Sequence, residues 1–115
     1  MKITRIYTGN DGESHFENMD VSPHNTGSLS RQSPLPASGI FIEEIKDEIN
    51  IGWHNSPRRQ FVIIIEGSFE IEVGDGSKHI FQAGDIFLVE DITGKGHTTR
   101  SLNNQPSRTI WVTLD

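Results

Sequence analysis

The sequence contains no cysteine, which removes disulfides, zinc–thiolate sites and thiol nucleophiles from consideration. Positive charge is scarce: Lys and Arg total 10 against 16 Asp and Glu, a formal net charge of −6 over 115 residues. Nucleic-acid wrapping and polybasic membrane binding both need clustered cations, so neither kind of partner is expected. A small acidic ligand gripped by an arginine stays compatible with this balance. Long apolar runs are missing as well. No window approaches the ~18 apolar residues of a spanning helix, and the stretch after Met1 lacks the apolar segment of a secretory signal. A soluble cytoplasmic protein is the expectation. Phosphate-cradling loops are absent too, since neither Gly-x-x-x-x-Gly-Lys-Ser/Thr nor Gly-x-Gly-x-x-Gly occurs. Nor does any longer window carry a helical period bounded by caps.

What remains is a chain of short apolar runs. Ile3–Tyr7 alternates over a few residues and reads as an edge strand. Ser22–Ser38, with Pro23, Pro34, Pro36 and Gly27, excludes a helix or a central strand and reads as a long loop. From Ala37 onward one run follows another: Ile40–Ile42 with Ile45, Ile49/Ile51/Trp53, Phe61–Ile65, Phe69–Val73, Lys78–Phe81, Ile86–Val89, His97–Leu102 and Thr109–Leu114. Phe61–Ile65 is continuously apolar and reads as a central strand buried on both faces. Glycine turns at Gly74–Ser77, Ala83–Asp85 and Thr93–Gly96 separate the later runs. Roughly seven to nine short strands at this spacing predict an all-β sandwich or barrel. One domain is expected, with residues 1–36 as an N-terminal strand and long loop and 37–115 as its β framework.

Three side chains stand out by position. His54 closes the Ile49–Trp53 strand, Gln60 opens the most apolar strand, and His97 follows the Thr93–Gly96 turn. Two imidazoles and an amide oxygen in one hollow could hold a divalent ion; equally, each histidine could be a hydrogen-bonded loop or core residue. Arg58 and Arg59 precede Gln60, and in extended backbone they point to opposite faces. An arginine there could grip a carboxylate or phosphate, or pair with Glu90 or Asp91. Either of those carboxylates could serve as a general base if burial raised its pKa; the alternative is a solvated turn carboxylate. Trp53, beside His54, could line a pocket or pack in the core or against a subunit.

Gly52, His54, Gln60 and Gly67, followed by Gly84, Asp85 and His97, resemble the two motifs of the cupin family. In that alignment His54 falls on the first histidine of the first motif, Ser56 on the second, Gln60 on the glutamate, and His97 on the histidine of the second motif. The resemblance covers roughly Ile40 to Leu114 and implies a cupin-type jelly-roll barrel. It implies a metal set of His54, Gln60 and His97 for iron, zinc, nickel or manganese, although Ser56 and Gln60 replace two usual ligands and neither supplies negative charge. His15 or His79 could complete the set. Three functions follow from the resemblance. One is a metal-binding pocket for a small polar organic ligand, with oxygenase or isomerase chemistry. The second is a metal-free isomerase or small-ligand-binding protein using His54 and His97 as catalytic acid–base residues. The third is a non-catalytic structural or regulatory dimer. Arg59, Trp53 and Glu90 are the candidate substrate-binding residues. A homodimer is expected, by the sharing of N-terminal strands common in similar proteins.

Overall fold

The computed structural model describes residues 2–20, 24–26 and 28–114. Its described residues form twelve strands: β1 (Lys2–Thr8), β2 (Ser14–Asp20), β3 (His24–Thr26), β4 (Leu29–Arg31), β5 (Gly39–Ile45), β6 (Asn50–His54), β7 (Gln60–Glu66), β8 (Ser68–Glu72), β9 (Lys78–Gln82), β10 (Ile86–Val89), β11 (His97–Ser101) and β12 (Ser107–Thr113). Every run from Ile40 onward became a strand. Between Ser22 and Ser38 the described residues hold only the short β3–β4 ribbon, which pairs with neither large sheet; the part of that loop at 22–23 and 27 lies outside the described residues.

Two sheets face each other. One has six strands in the order β2-β1-β10-β7-β12-β5, the other four in the order β6-β11-β8-β9. Among the described residues they do not close into a barrel: each sheet keeps two edge strands, and no ladder joins one sheet to the other. This corrects the expected jelly-roll barrel. Inward–outward alternation is the same in an open sandwich and a closed barrel, so the sequence pattern fits both, and edge pairing decides. At one side the edges meet through side chains instead of backbone bonds, with the Phe16 and His79 rings 5.7 Å apart.

Ile3–Tyr7 is not an edge strand either. β1 pairs antiparallel with β2 and parallel with β10. Ser14–Asp20, too polar to read as a strand, takes the edge instead, which suits an exposed charged strand.

Alternation explains the core. Val62 and Ile64 of β7 and Phe87 and Val89 of β10 point at the second sheet, where Phe69, Ile71 and Phe81 meet them in one buried cluster. The Phe81 and Phe87 rings lie 4.3 Å apart. Burial of such side chains contributes about 1.5–3 kcal/mol each. Where the inward residues turn polar, at Gln60, His54, His97 and Thr99, the sheets enclose a cavity of about 430 Å³.

Candidate ligand pocket

His54 is the last residue of β6 and His97 the first of β11, and the two are directly paired across the ladder. Their rings stand 4.5 Å apart, tilted by 58°. Directly opposed residues share a face of the sheet, and both line the cavity. Gln60, at the start of β7, lines it from the opposite sheet. The structure therefore brings His54, Gln60 and His97 to one hollow.

The turn before His97 is bound to the chain after His54. Asn55 Nδ2 donates to the carbonyls of Thr93 at 2.7 Å and Gly94 at 2.9 Å. Gly96 has φ +80° and packs against the His54 backbone so closely that a Cβ would overlap its carbonyl. Only glycine satisfies both demands.

Each imidazole is held by Nδ1. That of His54 donates to the Gly52 carbonyl at 2.7 Å. That of His97 meets Asp91 Oδ2 at 2.5 Å. A carbonyl or carboxylate partner only accepts, so it places the proton on Nδ1. In the neutral ring Nε2 is then the bare nitrogen, and among the described residues it has no hydrogen-bond partner in either histidine. Asp91 is fully buried and accepts a second bond on Oδ2 from the Ser14 hydroxyl at 2.7 Å. Its Oδ1 has no partner among the described residues.

These residues do not fit a metal ion. Gln60 offers its oxygen to Arg58 Nη1 at 3.5 Å and its amide nitrogen to the Ser56 hydroxyl at 3.3 Å. The oxygen that would be a cation's third ligand thus faces a guanidinium. Ser56 donates its own proton to the Arg58 carbonyl at 2.5 Å. Asp91, the nearest carboxylate, supports His97 from behind. Among the described residues no group of three or more His, Cys, Asp or Glu could hold an ion. The expected metal set of His54, Gln60 and His97 is corrected accordingly. His15 and His79 do not complete it: His15 Nε2 binds the Asp11 carboxylate at 2.9 Å, and His79 packs on Phe81 at 4.3 Å.

The three candidate substrate-binding residues lie outside the cavity lining. Arg59 Nε binds Glu90 Oε2 at 2.5 Å, and Arg5 Nε binds Oε1 at 2.6 Å. Burial pushes the Glu90 carboxyl up, but the hydrogen bonds from Arg5 and Arg59 outweigh it and hold the group below its ordinary value. Glu90 is therefore paired with two arginines, and its pKa is not raised by burial as that role would require. Trp53 lies under the Lys95 ammonium, 4.2 Å from the ring centroid. The tryptophan that does line the cavity is Trp111, stacked on Phe41 at 5.5 Å and donating Nε1 to Thr109 Oγ1 at 2.8 Å. Sequence reading missed Trp111 as a wall and the Ser14–Asp91–His97 chain. The available signal was parity: Val89 faces inward, so Glu90 faces out and Asp91 in.

A family model described as a cupin domain matches residues 41–113. The chain belongs to the cupin family. Among solved structures, this cupin is similar to the cupin domain of Schizosaccharomyces pombe Cnp3, at 13% identity and TM-score 0.55, covering 99% of this chain and 88% of that one. A DUF861 family protein from Thermotoga maritima is similar at 20% identity and TM-score 0.50, covering 64% of this chain and 76% of that one. Both likenesses are of fold. Among curated proteins, oryzines biosynthesis cluster protein J of Aspergillus oryzae is 31% identical over 64 residues, 55% of this cupin and 34% of the relative. The cupin thus matches about a third of that relative's length.

Proposed function

We propose that this cupin binds a small organic molecule without a metal, and that His97, positioned by Asp91, acts on it as a base. The observation that carries this reading is the pair of Nδ1-bonded imidazoles lining a cavity that has an apolar wall of Val62, Phe69, Ile71, Phe87 and Trp111 beside the polar Gln60, Thr99 and Thr109. A bare imidazole nitrogen accepts; it cannot donate. The ligand's polar end must then supply a hydrogen-bond donor, a hydroxyl, an N–H or a carbon acid, while its body is apolar and ring-sized. Asp91 stabilises the imidazolium that forms if His97 takes that proton, and His54 offers a second acceptor beside it. Isomerisation by proton transfer is the reaction class this supports.

Phenol and anisole test the reading, since they share a ring and differ in the donor. By titration calorimetry phenol should bind at least about tenfold more tightly than anisole, the worth of one hydrogen bond, and the His54→Ala, His97→Ala double variant should erase the difference. A double variant that still prefers phenol tenfold, or a wild type indifferent to the donor, contradicts it.

A further inference from the structure

Phe16 and His79 meet at one side of the sandwich. At the other side β5 and β6 are the edge strands, and among the described residues no ladder joins them. Both reach the cavity, β5 through Glu43 and Ile45, β6 through Ile51 and His54. The ladders place the side chains of β5. Trp111 opposes both Val62 and Phe41, while Glu43 lies opposite Thr109, which opposes Ile64. Val62 and Ile64 belong to the core between the sheets, so Phe41, Glu43 and Ile45 point inward with them. Glu43 is thus a half-buried carboxylate on the inner face of its sheet, with an apolar side chain on either side of it along the strand.

Among the described residues Glu43 has neither a hydrogen bond nor an ion pair, and the cations of the same edge serve other groups. Arg108 binds Glu44 at 3.2 Å and Glu66 at 3.4 Å, and Lys46 lies 4.0 Å from Glu44. No described lysine or arginine lines the cavity. A carboxylate set among apolar walls costs free energy until a cation or a donor meets it. A lone carboxylate does not hold a metal ion, and no described cluster does so. An organic cation suits it better. Trp111 is diagonal to Glu43 across the β5–β12 ladder, ~7 Å away by the usual sheet spacing, and its ring adds a second attraction for an ammonium.

We propose that Glu43 makes this cavity specific for an amine. It holds a protonated ammonium at one end of the ligand while, resting on the reading under Proposed function, the histidines accept a hydrogen bond from the other end. The ligand class is an amine with an apolar, ring-sized body and a hydroxyl or N–H at its far end. An acidic ligand meets no cation in this lining and is repelled by Glu43.

Tyramine and 4-propylphenol test the assignment. Both carry the phenol and a chain of the same length, which ends in ammonium in one and methyl in the other. By titration calorimetry near neutral pH, Glu43→Gln should raise the ratio of the tyramine Kd to the 4-propylphenol Kd at least about tenfold, the worth of one charge-assisted hydrogen bond. Retained binding of 4-propylphenol shows that the cavity is intact. Should that binding be lost as well, Glu43→Met, apolar and of similar length, carries the same expectation. Glu44→Gln, whose carboxylate pairs with Arg108, should leave the ratio within about threefold. The His54→Ala, His97→Ala double variant should weaken both phenols and keep their ratio within about threefold. If that double variant binds both as the wild type does while Glu43→Gln still shifts the ratio, the histidine reading falls and the amine site stands. A ratio indifferent to Glu43→Gln leaves the residue as a charged guard of the β5 edge and overturns the proposal. So does a ratio shifted equally by Glu44→Gln, or a wild type that binds no tyramine.

Discussion

Replacing Asp91 by alanine should lower the free energy of unfolding by about 3 kcal/mol. The carboxylate is fully buried and, among the described residues, is the one acceptor for both the Ser14 hydroxyl and His97 Nδ1. Alanine strands two buried donors, each costing about 1–3 kcal/mol. Ser14→Ala removes one bond and leaves His97 Nδ1 satisfied, so it should cost only about 1 kcal/mol. Asp91→Asn separates stability from chemistry. Its amide keeps the volume and one acceptor oxygen, so it should fold better than the alanine variant. With its oxygen at the Oδ2 position the amide accepts both bonds, its NH₂ takes the place of the unpartnered Oδ1, and the ring loses the carboxylate charge that would stabilise an imidazolium. Urea unfolding of the four proteins should rank wild type, Ser14→Ala, Asp91→Asn, Asp91→Ala. Equal midpoints for wild type and Asp91→Ala would mean that the buried pair is not formed.

Gly96→Ala should be as damaging and should act through His54. The alanine would take a φ of +80°, and its Cβ would overlap the carbonyl oxygen and carbon of His54. Backbone atoms cannot rotate aside as a side chain does. Left-handed strain alone costs about 1–3 kcal/mol, and the overlap must be relieved by moving β6 away from β11. We expect a total loss of about 3 kcal/mol or more, together with separation of the two imidazoles. Gly52→Ala is the matched control, because nothing lies within 4 Å of its Cβ position. It should unfold within about 1 kcal/mol of wild type. If Gly96→Ala unfolds like Gly52→Ala, the tight approach of the turn to His54 is not real.

The strands of this protein were legible because apolar residues recur at period two and glycines interrupt them. Ile40, Phe69, Ile86 and Thr109 each opened or sat in a run that became a strand. Three features were not legible, for separate reasons. Ser14–Asp20 has only Phe16 and Met19 as apolar residues, so its strand is dictated by pairing with β1 and not by its own pattern. Closure into a barrel depends on whether edge strands meet, and alternation is blind to that. Which of Arg58 and Arg59 meets which partner was the third: Arg59 turned outward to Glu90, one of the pairings left open, while Arg58 reached Gln60. Parity gave two faces but not which one was interior, because Phe61, Ile63 and Ile65 are as apolar as Val62 and Ile64. The outward set is apolar too, which is why the strand looked buried on both sides.

The histidines were legible as a pair through the turn and strand-end positions that also carry the family resemblance. Their use was not. The metal reading followed from matching positions, but Ser56 and Gln60 change the donor set, and Arg58 puts positive charge against the amide oxygen. What the site keeps is two imidazoles, each held by a hydrogen bond at Nδ1. Asp91 was visible only as one of two acidic residues at a strand end. Its burial comes from Ser14, whose strand the sequence pattern did not mark.

Nitrogen-15 NMR of the histidine rings, in wild type at mildly alkaline pH, measures the central claim directly. His54 and His97 should both carry their proton on Nδ1 and show an unprotonated Nε2, and phenol should shift both Nε2 resonances together. A proton on Nε2 of His97, or a phenol titration that leaves both rings unmoved, would contradict the account.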